Sequence, residues 1–138
     1  INDEKKILLV KQWREPIKQL TLEIPAGLID ETDASPLDAM KRELNEEGGY
    51  KAEYWEKVSE FYTSVGFCDE KIHLFYCDTL SKIENKRPLD EDEFLTQEWY
   101  SLPELKQLIA SGEIMDAKTV MAITFWENMI LTGNQSND

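Results

Sequence analysis

The sequence predicts an α/β sandwich, because β-prone segments alternate along the chain with capped amphipathic helices. Three observations carry that expectation. Apolar runs near the N-terminus have strand character, a helix with clear start and stop signals follows them, and two more helix signatures occupy the last third. At 138 residues the chain is long enough to bury one sizeable core and reads as a single domain over 1–138. No internal repeat is visible.

The first strand is expected over Lys6 to Trp13, an apolar run that stops at Arg14-Glu15-Pro16. Leu20, Leu22 and Ile24 alternate with polar residues and give a second strand, which enters a Pro25-Ala26-Gly27 turn. A helix then starts at Ser35, with Pro36 at its first position and Asp38 completing a capping box. Leu37, Met40 and Leu44 fall on one side of it, and Gly48-Gly49 ends it. Tyr50 to Thr63 holds a strand with Val58, Phe61 and Tyr62 as its apolar residues, and Ser64 to Glu70 is a loop. Ile72, Leu74 and Tyr76 alternate with His73, Phe75 and Cys77, as in a strand covered on both faces. Ser81 to Glu93 is a polar loop of the length that closes over sites. A strand over Phe94 to Tyr100 follows, then a helix from about Pro103 to Ser111 capped by Ser101 and ended by Gly112. Asp116 caps a last helix with Val120, Met121, Ile123, Phe125 and Met129 on its apolar surface, before a polar tail over Asn134 to Asp138.

Beside the apolar stripe of the first helix lie Glu43, Glu46 and Glu47. Residues three and four apart on a helix are neighbours, so the three carboxylates share one surface and repel one another. Arg42 relieves part of this by pairing with Glu46 at i+4. Taken alone, such a run is a solvated acidic face. The preceding turn adds a backbone carbonyl, and a hard divalent cation bound through oxygen then accounts for the whole arrangement.

Charge points the same way. The net charge of −13 repels nucleic-acid backbones and anionic membranes, so neither is an expected partner. An anionic substrate would be repelled as well, unless a dication first offset the carboxylates. Cys68 and Cys77 have neither zinc-site nor disulfide-framework spacing. No signal peptide or membrane-length apolar run is visible, which makes the cytoplasm the default location.

Gly27 followed by Arg42-Glu43-Leu44-Asn45-Glu46-Glu47-Gly48-Gly49-Tyr50 resembles the Nudix box. The second half matches at every specified position. In the first half the arginine lies fifteen residues after Gly27 where the family has fourteen, so the loop carries one extra residue, and the mid-loop Glu of the family falls on Asp33 or Ala34. Within the family the chain is most similar to ADP-ribose pyrophosphatases over nearly its whole length. The matching segments are Val10 to Arg14, Glu23 to Asp30, Ser64 to Glu70, Asp90 to Phe94 and Gly112 to Thr119. The family's N-terminal β-sheet segment, which packs across a dimer and helps hold adenine, is not seen in this sequence.

The resemblance implies a Nudix-type α/β/α sandwich with a mixed β-sheet, and Mg²⁺-dependent hydrolysis of the ADP-ribose pyrophosphate to AMP and ribose 5-phosphate. It implies metal ligation by the Ala26 carbonyl, Glu43 and Glu47, with Glu46 serving a second or third ion. One to three ions are expected, with Mn²⁺ as the alternative to Mg²⁺. The catalytic base is expected in the acidic loop, with Glu93 first and Glu91 second, although Asp90 to Glu93 also reads as a plain solvated loop. The segment is no EF-hand, since Leu95 stands where its glycine belongs.

Arg14 resembles the family's substrate arginine, the alternative being a salt bridge with Glu15 or Glu23. Leu28 is expected under the ribose or phosphates through its backbone, and Gly66 close to the substrate or simply in a turn. Glu70 fixes its loop or joins the metal shell. His73 reads as a core residue, and Trp13, beside Arg14, is left open. A homodimer is also implied. The rival readings are hydrolysis of another nucleoside diphosphate sugar, a non-catalytic ADP-ribose-binding module, and an acidic interaction domain without a small ligand.

Overall fold

The computed structural model describes residues 1–84 and 96–135. Strand β1 (Lys6–Arg14) lies between β2 (Gln19–Glu23) and β5 (Thr96–Ser101), and β3 (Tyr50–Tyr62) pairs with β4 (Lys71–Lys82). All of these pairings are antiparallel, and the parallel pairing that would make the sheet mixed is not among them. Helix α1 (Pro36–Glu43) follows β2, while α2 (Leu102–Ala110) and α3 (Ala117–Gln135) follow β5.

β1 is the centre of the sandwich. Successive strand residues face opposite sides, and both sides of β1 are covered, so Ile7 to Val10 are buried without a break. Ile7 and Leu9 pack with Leu105 of α2, Ile114, and Ile123 and Trp126 of α3. On the other side Leu8 lies against the Leu44–Gly48 segment that ends the first helix. Helices thus lie on both faces of this sheet, and the α/β/α expectation holds.

β2 differs from the alternation expected of it. Leu22 and Ile24 do pack against the core, but Leu20 is exposed while Thr21 and Glu23 are buried. Polar partners explain the reversal. Glu23 is covered by Arg14 from β1 and Lys118 from α3, and Ile24 N–H donates to the Thr119 hydroxyl at 3.0 Å.

The helix ends follow the sequence signals closely. The Ser35 hydroxyl accepts from Asp38 N–H, Ser101 and Glu104 form a capping box, and the Asp116 carboxylate accepts from Thr119 N–H. β5 begins at Thr96, and the expected start at Phe94 lies outside the described residues. β4 continues through Lys82, so Ser81 belongs to the strand and not to the loop expected there. Its alternating residues are buried or half-buried, His73 among them.

Candidate active site

The expected first helix is not one α-helix. It runs as α1 to Glu43, and the next five residues, Leu44–Gly48, open into a wider π turn. Gly49 closes it with a left-handed backbone (φ 72°) that a side chain would strain, its N–H reaching the Asn45 carbonyl at 3.0 Å. Such single π turns are frequent at functional sites because they re-aim a few side chains within an otherwise regular helix. Here Glu46 and Glu47 fall within the π turn and Glu43 just before it.

The two outer glutamates meet the Pro25-Ala26-Gly27 turn. Ala26 N–H donates to Glu47 Oε2 at 3.2 Å. Glu43 lies against Gly27 so closely that a Cβ there would stand 2.0 Å from the Glu43 carboxyl carbon. Sequence positions 26–27 and 43–47 are therefore one site, and Gly27 is required by Glu43 rather than by its own backbone angles. From β5, the Gln97 side chain donates to the Glu47 carbonyl, a contact with no signal in the sequence.

Arg42 secures the acidic segment to the loop before it. Its Nε and Nη2 take the two oxygens of Asp33 at 3.1 and 2.9 Å, and Nη2 also reaches the Leu28 carbonyl at 3.2 Å. Nη1 reaches Glu43 at 3.0 Å and Glu46 at 3.4 Å, the latter being the i+4 pair expected from the sequence. Asp33, not Ala34, thus fills the mid-loop position, and the extra residue leaves this bracing in place. Hydrogen bonds from Arg42 and from the Asp30 amide hold the Asp33 carboxyl below its ordinary pKa.

A cleft of about 1210 Å³ opens between the two sheets. Ala26, Leu28, Glu43, Glu47, Glu70 and Arg14 all border it, whereas Gly66 does not, and a Cβ on Gly66 would meet open space. Glu70 has backbone links, its carbonyl accepting from Thr63 N–H and its own N–H facing Cys68 Sγ. Trp13 is exposed and donates its indole N–H to Glu15 at 2.7 Å. Glu91 and Glu93 lie outside the described residues.

Arg14 forms the salt bridge weighed from the sequence, with Glu23 and not Glu15, while still bordering the cleft. Lys118 and Asp116 join this network, although no role was legible for them beyond the helix cap. Burial alone would raise the Glu23 carboxyl, but hydrogen bonds from Arg14, Lys118 and Thr21 prevail and bring it down to about 2.

Among the described residues no three His, Cys, Asp or Glu side chains converge into a ready metal cluster. The donors at the turn fit a hard cation nonetheless. Two carboxylates at a turn whose backbone also offers carbonyl oxygens make an all-oxygen donor set of the kind hard cations such as Mg²⁺ or Mn²⁺ take. The absent Cβ at Gly27 is what lets one of those carboxylates reach the turn.

A NUDIX domain model matches residues 1–121. The chain is 44% identical over 125 residues to an "ADP-ribose pyrophosphatase" from Bacillus subtilis, covering 91% of this chain and 67% of that protein. It is 43% identical over 125 residues to a "Methanol dehydrogenase activator" from Bacillus methanolicus, with the same coverage of each. The chain thus spans about two thirds of the length of these relatives. A solved structure described as "Crystal structure of ADP compounds hydrolase" superposes with a TM-score of 0.82 at 21% identity, over 94% of this chain and 69% of that one, a likeness of fold.

Proposed function

The chain belongs to the Nudix family, and on that footing we propose that it hydrolyses the pyrophosphate bond of ADP-ribose to AMP and ribose 5-phosphate. One observation carries the proposal: Glu43 and Glu47 are brought onto the Ala26–Gly27 turn, within a chain 44% identical to an ADP-ribose pyrophosphatase. A pure binding module or an acidic interaction domain has no use for that arrangement.

Ala26, Glu43 and Glu47 would hold the divalent metal, with Glu46 serving a further ion. When bound, the metal neutralises charge on the pyrophosphate and lowers the pKa of water. The chain's own residues do the rest. Arg14 presents a guanidinium edge to the phosphates, Leu28 lies under the ribose or phosphates through its backbone, and Glu70 fixes its loop or joins the metal shell, all three bordering the cleft. Arg42 keeps the loop and the acidic segment in register, so that the carboxylates are placed before substrate arrives. Water adds to one phosphorus as the bridging P–O bond breaks, and its proton passes to a carboxylate, which we assign to Glu93 or, second, Glu91.

The rest of the reading is a homodimer in the cytoplasm, with Mg²⁺ as the working ion. No described helix is long and apolar enough to cross a membrane.

The test is release of AMP from ADP-ribose by wild type and Glu47→Gln, with and without Mg²⁺. Turnover that needs both the metal and Glu47 is expected. Binding without turnover in wild type would sink the catalytic reading in favour of a sensor. Turnover of GDP- or UDP-sugars in preference to ADP-ribose would overturn the substrate assignment while leaving the chemistry.

A further inference from the structure

Among the described residues Glu23 is the one charged side chain that is fully buried, at 2% exposure. Its bonding is unusual for a structural carboxylate. Arg14 takes Oε2 with Nε and Oε1 with Nη2, each at 2.7 Å, and Thr21 donates to Oε2. Lys118 comes from the first turn of α3, ninety-five residues away in sequence, and donates to the same Oε1 that Arg14 already holds. Arg14 and Lys118 are thereby held side by side, with Asp116 pairing Lys118 as the second carboxylate of the cluster, and both cations border the cleft.

Four cationic side chains border that cleft among the described residues: Arg14, Arg42, Lys71 and Lys118. Arg42 is engaged by Asp33, Glu43, Glu46 and the Leu28 carbonyl, and Lys71 pairs with Glu60 and lies over the Tyr62 ring. Arg14 and Lys118 remain, and each keeps donors beyond those used on Glu23. The Arg14 fork to Glu23 uses Nε and Nη2 and not Nη1. Lys118 gives bonds to Glu23 and to Asp116 at 2.9 Å, two of the three donors an ammonium has. In a chain of net charge −13, an anion approaching the cleft meets few other attractive groups.

We propose that Glu23 is a positioning residue that fixes Arg14 and Lys118 as a paired cation receptor, and that Lys118 binds phosphate oxygens of the substrate through this pair. The inference rests on the pyrophosphatase reading. It extends that reading from the arginine to a lysine and a buried carboxylate on other elements. Glu23 acts through the two cations and does not touch the substrate itself.

The experiment is steady-state hydrolysis of ADP-ribose by wild type, Lys118→Gln, Lys118→Arg and Glu23→Gln, alongside their melting temperatures. Losing one charge-assisted hydrogen bond to a phosphate raises KM by about tenfold or more. Lys118→Gln and Glu23→Gln should do so with kcat changed by less than about threefold, since the bond is made equally to ground and transition state. Lys118→Arg should restore most of the affinity. An unchanged KM in folded Lys118→Gln would overturn the proposal, because a purely structural tie lowers melting temperature and leaves KM alone. If Glu23→Gln does not fold, the two Lys118 variants decide the matter by themselves. Should wild type fail to turn over ADP-ribose, the catalytic reading falls separately, and calorimetric binding of ADP is compared instead. Weaker binding to Lys118→Gln than to wild type upholds the receptor, and equal or absent binding in both refutes it.

Discussion

Gly27→Ala is the sharpest perturbation of the acidic site, because its effect can be worked out from one contact. The added Cβ would lie 2.0 Å from the Glu43 carboxyl carbon and 2.1 and 2.5 Å from its two oxygens. To reach ordinary van der Waals separation the carboxylate must retreat by roughly 1.4 Å. It sits at the far end of a flexible side chain, so the retreat is sterically easy. The cost falls on function, since Arg42 Nη1 holds this carboxylate at 3.0 Å and the proposed metal site uses it at the turn. A misplacement of about 1 Å in an active-site group costs on the order of a hundredfold in rate. Stability should move the other way. The Gly27 φ is not in the left-handed region, and replacing such a glycine by alanine stabilises by about 0.4–1 kcal/mol through the unfolded chain. The assay is kcat/KM for ADP-ribose over a Mg²⁺ titration, paired with thermal melting. We expect a loss of about a hundredfold, a higher Mg²⁺ requirement, and a melting temperature equal to or above wild type. Wild-type kinetics at unchanged Mg²⁺ demand would refute the reasoning, as would activity lost only through unfolding.

Three further outcomes follow from the same contacts. The Glu23 carboxyl lies at about 2 in the fold against an ordinary 4.5, so its stabilisation is complete above the unfolded value and is lost as pH falls from about 4.5 toward 2. Unfolding free energies of wild type and Glu23→Gln from urea titrations should therefore converge by about 3 kcal/mol as the pH is lowered, and a gap constant with pH would contradict the Arg14–Lys118 account. Arg42→Lys replaces a fork on Asp33 with a point charge that cannot also hold the Leu28 carbonyl, so kcat/KM should drop about tenfold. Combining it with Asp33→Asn should add little, and full additivity would count against the brace. Ser101→Ala removes the α2 capping box, whose two bonds are long at 3.4 Å, so denaturant unfolding should show a loss of about 0.5–1 kcal/mol with kcat/KM unchanged.

Much of the site was legible because its information is local. Glu43, Glu46, Glu47 and Arg42 sit within six residues, and the capping and stop signals around them fix where the segment begins and ends. The glycine spacing gave Gly27 a place without a reason, and the reason is the Glu43 carboxylate beside it. The extra loop residue left two candidates for the mid-loop acid, and only the Arg42 fork selects Asp33. Arg14 was readable both as a substrate group and as a salt-bridge partner. It is in fact paired with Glu23 and at the cleft, so the two readings were never exclusive.

What the sequence determined by itself is the alternation of strands and helices, the ends of the helices, and the presence of an oxygen-rich acidic segment after a tight turn. These depend on side chains a few residues apart, where spacing alone decides which groups meet. What only the tertiary structure decided is how distant segments close on one another. The π turn re-aims Glu46 and Glu47, Gln97 reaches Glu47 from fifty residues away, and Lys118 shares an oxygen of Glu23 across ninety-five. The buried polar face of β2 follows from that last closure. A strand's inward face is set by what covers it, and here two cations brought in by β1 and α3 make Glu23 and Thr21 the inner residues while Leu20 stays in solvent.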